Sequence, residues 1–224
     1  MKLSNKGAVE IAEHEGIVLG PYLDSQNVWT YGVGHTHHAG GPDPRALPRE
    51  DTRRWTDEEV EEELLFAIRL FDVDLDKYEK RVNEAIYAPL KQHQFDALVS
   101  FDFNTGGIYR AKLTDAINRK DYSGDGFMGW LKPKEIAKRR KAEQALFRTG
   151  DYDGNGSSIP VYDALGDGRF RYRMTIDSKA LLSKMQTEAR PSGEAGSLSG
   201  SIAGLIAALM TGVAVFWDQI GGLF

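Results

Sequence analysis

Apolar positions recur at helical spacing near the start of the chain and change period soon afterwards. Over residues 4–15, Val9, Ile11 and Ala12 make an apolar stripe between polar positions. Ser4 or Asn5 can cap this helix, and Gly16 provides its stop. Over 21–35 the spacing moves toward alternation, through Val28, Thr30, Gly32 and Gly34, with Asp24, Ser25, Gln26 and Asn27 as turn material. A small antiparallel sheet is predicted there. Residues 37–51 are rich in Gly and Pro and predict a loop.

Helical patterning returns at Thr56, which with Glu59 makes a capping box ahead of Val60, Leu64, Phe66 and Ile68. A separate helix is predicted over 75–87, ending before Pro89, and a third over 92–103 that is apolar on most sides, as a central buried helix would be. Stretches 111–118 and 134–147, the latter stopped by Gly150, complete a helical lobe. The fold class is α+β.

Beyond Gly150 the pattern changes again. Residues 159–176 predict a hairpin around Gly166-Asp167-Gly168, with Phe170, Tyr172, Met174 and Ile176 alternating against Arg169, Arg171 and Arg173. One face can pack. The other is basic, suited to an anionic wall or lipid phosphate, or simply to solvent beside an acidic loop.

The end of the chain carries a different signal. Residues 191–200 are rich in Ser and Gly, and 198–217 run without a charge to Trp217, close to the ~20 residues that span a bilayer. Gly200, Gly204, Ala208 and Gly212 recur every four residues, a small-residue face that favours helix-mediated self-association in lipid. Lys179, Lys184 and Arg190 precede the run and Asp218 follows it, which favours a cytoplasmic location for the preceding domain. The expected organisation is a catalytic domain over 1–150, a hairpin extension over 151–178, a linker over 179–197 and a membrane-associated helix over 198–224.

Composition narrows the partners. The 224 residues hold 28 basic and 33 acidic side chains, a net charge of −5, so nothing global favours nucleic acid. There is no cysteine, which excludes disulfides, thiol nucleophiles and thiolate-bound zinc. Charges run through the first 16 residues with no apolar stretch of signal-peptide length, so synthesis and folding in the cytoplasm are expected.

The candidate chemistry is concentrated early. Glu15, Asp24 and Thr30 are spaced E-x8-D-x5-T, placing one carboxyl at a helix end, a second across a turn and a hydroxyl on the next strand. Cleavage of a glycosidic bond needs one carboxylic acid to protonate the leaving oxygen and one carboxylate to activate water or stabilise the cationic sugar. Ile11, Ile17 and Val18 are expected to wall in Glu15 and favour its protonated form. His35, His37 and His38 are a poor metal set without spaced carboxylate partners, so no metal is expected. Asp151, Asp153, Asn155 and Gly156 imitate the opening of a calcium loop, but Tyr162 stands where its acidic twelfth ligand belongs, and a turn is the better reading.

Three separated blocks also carry a family resemblance. Glu15-Gly16, Tyr22, Asp24, Thr30, Gly32, Gly34, His35 and Thr36 resemble the active-site signature of phage-type lysozymes, the endolysin muramidases of glycoside hydrolase family 24. Residues 94–107 (QFDALVSFDFNTGG) and 136–147 (IAKRRKAEQALF) resemble that family's central helix and its Arg-Arg-x-Ala-Glu helix. The resemblance implies a lysozyme-like fold with the site between two lobes, Glu15 as general acid, and Asp24 with Thr30 holding the attacking water, so that the anomeric centre inverts. Tyr22, His35 and Asn104 are the implied substrate-binding side chains, with His35 better read as a hydrogen-bonding residue beneath the cleft and Asn104 alternatively holding the helix junction beside it; Arg139 and Arg140 are expected to make structural salt bridges. Tyr31 departs from the aliphatic residue usual in that position. The implied reaction is hydrolysis of the β-1,4 link between N-acetylmuramic acid and N-acetylglucosamine in peptidoglycan strands, with no cofactor, by an enzyme held in the cytoplasm or at the inner membrane face until lysis. The alternatives are a muramidase-like scaffold beside a membrane and a non-hydrolytic transglycosylase.

Overall fold

Helix α1 (Asn5–Glu15) begins where Ser4 Oγ accepts the Gly7 N–H at 3.0 Å, so Ser4 is the cap that is used. Gly16 ends it with φ at +74°, and a Cβ here would meet Pro160 O and the Tyr162 ring at 3.1 Å. Glycine thus serves both the left-handed backbone and a close approach by a strand from far along the chain. The computed structural model describes residues 1–152 and 156–187, with side chains through 183.

Strand β1 (Ile17–Leu23) follows at once, four residues earlier than alternation indicates. Its first half is buried without interruption, so the period-two signal is lost there. Strands β2 (Trp29–Gly32) and β3 (His35–Thr36) pair antiparallel to it in series, with Tyr22 opposite Thr30 and Tyr31 opposite His35. The hairpin β4 (Ser158–Ala164) and β5 (Phe170–Asp177) forms as its alternation indicates. It is also built into the same sheet: β4 runs parallel to β1, with Ile17 opposite Val161, giving the order β3-β2-β1-β4-β5. The stripe of arginines on β5 is divided. Arg173 is drawn inward to Asp163 at 2.8 Å and to the carbonyls of Thr52 and Trp55, while Arg169 pairs with Asp167 at 2.6 Å.

The helical side departs from expectation at one place. Instead of two helices separated near residue 70, one helix, α2 (Asp57–Ala85), runs 29 residues from a complete Thr56–Glu59 capping box. Asp74, a carboxylate on a face otherwise occupied by Leu70, Phe71 and Leu75, binds His35. Helix α3 (Gln92–Thr105) is the central buried one, with Phe95, Leu98, Val99 and Phe101 essentially inaccessible. Helices α4 (Lys112–Asn118) and α5 (Ala137–Thr149) pack around it, and Phe101, Phe127 and Phe147 interlock with ring centroids 5.6 Å apart at each contact. Each such ring contributes ~2–3 kcal/mol through burial.

Residues 179–187, assigned to a linker by composition, are instead helical: α6 (Ser178–Thr187) lies on α1, with Leu181 buried and Ser178 Oγ donating to Glu13. Met1–Glu188 forms one unit. Among the described residues no helix is long and apolar enough to cross a membrane. The charge-free run 198–217 and the calcium-like positions Asp153 and Asn155 lie outside the described residues.

Candidate active site

Glu15 is the last residue of α1, and the Gly16 stop turns the chain into β1 immediately behind it. Its side chain, 29 % exposed, opens on a cleft of about 390 Å³ shared with His14, Asn104, Ile136, Lys138 and Arg139. The carboxyl opens on this cleft, whose lining does not include the buried Ile11, Ile17 and Val18. Its partner is the guanidinium of Arg139, whose Nη1 donates to Glu15 Oε1.

Arg139 is itself held from below. Its Nε donates to Glu143 Oε1 at 3.0 Å, where Ser100 Oγ also donates, at 2.9 Å. Arg140, fully buried, pairs with Glu143 Oε2 at 2.5 Å, lies 5.2 Å from the Phe101 ring centre and donates to the Asn104 amide oxygen. Burial favours the neutral forms of both Arg140 and Glu143, lowering the first pKa and raising the second, so the pair stands only because each offsets the other. Asn104 lines the cleft with its amide oxygen already engaged by Arg140. The two arginines are structural, as expected, but Arg139 also touches the acid. The available signal was their spacing from Glu143, which puts all three on one side of α5.

Beneath the cleft, Glu10 is pushed up to about 8, first by burial and then by the charges of Glu13 and Glu143. His14 is pushed down to about 3 by burial and by Arg139, Arg140 and Lys138. Burial thus favours the neutral form of both side chains.

Asp24 sits in the β1–β2 turn and also builds it. Oδ1 accepts the N–H groups of Gln26 at 2.8 Å and Val28 at 2.9 Å, leaving Oδ2 for a further partner. Thr30 Oγ1 donates to Val28 O at 3.0 Å, so the same residue, Val28, links the carboxylate and the hydroxyl. Thr30 is buried and lines neither this cleft edge nor the one at Glu15. Tyr22, opposite it, has its phenol held protonated by burial and by the negative charges of Glu15 and Asp24, which places its hydroxyl in the field of both carboxylates.

His35 is buried, with Nδ1 2.8 Å from Asp74 Oδ2 and Nε2 2.8 Å from Pro42 O, so both ring nitrogens are used in holding the loop after β3 to α2 and neither is left for a further partner. Tyr31, the departure from the family pattern, is accommodated by Glu63, which accepts its hydroxyl, and by an edge contact with Phe66 at 5.5 Å. Among the described residues no group of three His, Cys, Asp or Glu could hold a metal ion, and His37 and His38 stack on each other with centroids 3.7 Å apart.

Comparison with known proteins gives the family of the chain. Residues 12–143 match the family model described as phage lysozyme. An endolysin of Acyrthosiphon pisum secondary endosymbiont phage 1 is 32 % identical over 162 residues, covering 66 % of this chain and 99 % of the relative. The endolysin of Salmonella phage P22 is 32 % identical over 155 residues, covering 66 % and 98 %. Among solved structures, the muramidase domain of SpmX from Asticaccaulis excentricus superposes with a TM-score of 0.52 at 26 % identity, covering 66 % of this chain and 98 % of that domain.

Proposed function

Because the chain belongs to the phage lysozyme family, we propose that it is an endolysin-type muramidase that hydrolyses the β-1,4 bond between N-acetylmuramic acid and N-acetylglucosamine. As a lysozyme-type glycoside hydrolase it needs no chemistry beyond two carboxyl groups and water. In this reading Glu15, in its protonated form, gives a proton to the glycosidic oxygen as the C–O bond breaks. Asp24, through its uncommitted Oδ2, steers a water to the anomeric carbon from the opposite face, with Thr30 bracing the turn behind it through Val28 O, and the configuration inverts. Water becomes the new anomeric hydroxyl and its proton passes to Asp24. Tyr22 and Asn104 supply hydrogen-bond donors to the sugars.

The observation that carries this reading is Glu15 at an open cleft, fixed by a buried arginine and flanked by Asn104. The test is clearing of purified peptidoglycan by the unmutated chain and by Glu15→Gln. Clearing by the first and not the second is expected; equal inactivity favours a binding scaffold.

Storage at the inner face of the cytoplasmic membrane, with self-association of 198–217, rests on the sequence pattern alone. Deletion of 198–224 is expected to leave wall hydrolysis intact and move the protein from the membrane to the soluble fraction; a full-length chain already soluble contradicts it.

A further inference from the structure

We propose that the β4–β5 hairpin carries a glycan-binding shelf, made by Tyr162, Phe170 and Tyr172, that continues the catalytic cleft past Asp24 and holds the aminosugar strand beyond the bond being cut. The proposal rests on the muramidase reading for its ligand. The hairpin lies past residue 143, where the match to the phage lysozyme model ends, so the family pattern assigns it nothing.

The rings form a band. Tyr162 lies against Gly16, next to Glu15; its ring is 5.4 Å from that of Phe170, and Phe170 is 5.3 Å from Tyr22, each pair edge to face. Tyr172 extends the band, 6.1 Å from Tyr162. Phe170 and Tyr172 are nevertheless 46 % and 55 % exposed, on the edge strand of the sheet. Large aromatic rings left open side by side are unfavourable to folding alone and mark contact surfaces.

The band is held in register with Asp24. Leu23 N–H donates to Gly168 O at 2.7 Å, tying the hairpin turn to the residue before Asp24. Gly168 has φ at +90°, and a Cβ there would come within 2.8 Å of Leu23, so the approach is as close as backbone allows. Asp24, Asn27, Asp167 and Phe170 consequently share the wall of one cleft of about 410 Å³.

That mixture fits a sugar. A pyranose offers an apolar C–H face to an aromatic ring, while its hydroxyl and N-acetyl groups seek acceptors and donors of the kind Asp167 and Asn27 present. An anionic membrane is a poorer occupant, because Asp24 and Asp167 line the cleft and Arg169 and Arg173 are already committed to carboxylates.

The experiment measures binding of the full chain, in the Glu15→Gln background, to purified sacculi. Phe170→Ala and Tyr172→Ala are each expected to weaken binding about tenfold, the factor for ~1.4 kcal/mol, and Phe170→Trp to retain it. Unfolding midpoints should be little changed, and Tyr172, the more exposed ring, decides the matter should Phe170→Ala fold poorly. Parental affinity in both alanine variants overturns the shelf, as does ring-dependent capture of anionic phospholipid vesicles with sacculus binding unaltered. Should the unmutated chain clear no wall and yet bind sacculi through these rings, the hydrolytic reading fails and the shelf stands.

Discussion

Arg139 and Glu15 lie 124 residues apart in sequence and meet in one ion pair at the mouth of the cleft. The guanidinium is 6 % exposed and is gripped on its other side by Glu143, so it presents a fixed donor to a carboxyl whose outer oxygen remains accessible. Such an arrangement fixes the orientation of the Glu15 carboxyl at the cleft.

Arg139→Ala is therefore expected to lower wall-clearing activity by one to two orders of magnitude and to destabilise the fold by ~3–5 kcal/mol, since it leaves Glu143 buried with one cation, Arg140, instead of two. Arg139→Lys keeps a charge but cannot reach both carboxylates and is expected to fall between. Urea unfolding alongside turbidity assays measures both effects; an alanine variant with parental stability and rate contradicts this role.

Asp24 has two separable duties, which two substitutions distinguish. Asp24→Asn keeps an oxygen for the Gln26 and Val28 N–H groups and removes the charge, so activity is expected to fall steeply at nearly parental stability. Asp24→Ala also removes the turn bonds, at ~1 kcal/mol each. Thr30→Val, which loses the bond to Val28 O, is expected to cost ~1 kcal/mol of stability and to lower turnover by loosening the turn that carries Asp24. Equal activity in Asp24→Asn and the parent removes Asp24 from the chemistry.

Glu10 makes stability depend on pH. Its folded pKa of about 8 lies above the ordinary 4.5, so the folded state holds the proton more tightly and stability declines as pH rises from near 4.5 toward 8. Glu10→Gln is expected to remove this slope and raise the unfolding midpoint at pH 8 by ~3 °C or more relative to its effect at pH 5. Parallel melting curves at both pH values contradict it.

His35 adds to that decline. Burial opposes its charging, but the bonds to Asp74 and Pro42 O outweigh burial and raise its pKa above the ordinary 6.5. The stabilisation is fully present below about 6.5 and is lost as pH rises through the folded value. The stability gap between the parent and His35→Asn should accordingly be widest near pH 5.5 and narrower at pH 8.5; a gap that widens with pH contradicts the assignment.

The early motif was legible because its parts are local: a cap, a glycine stop, an Asx turn and a strand all lie within 30 residues of one another. Long-range pairing was not. Nothing in the hairpin's alternation says that Val161 will lie beside Ile17, and nothing in the Arg139-Arg140 pair says that one will reach Glu15. The continuity of α2 through the gap between its two predicted parts was not legible either, and neither was the bond from its Asp74 to His35, 39 residues away.

The most direct test is mass analysis of the soluble products released from purified peptidoglycan by the unmutated chain and by Glu15→Gln. Fragments ending in a reducing N-acetylmuramic acid, formed by the first protein and absent with the second, are the expected result. A 1,6-anhydro terminus, or the same reducing fragments from both proteins, would contradict hydrolysis with Glu15 as the proton donor.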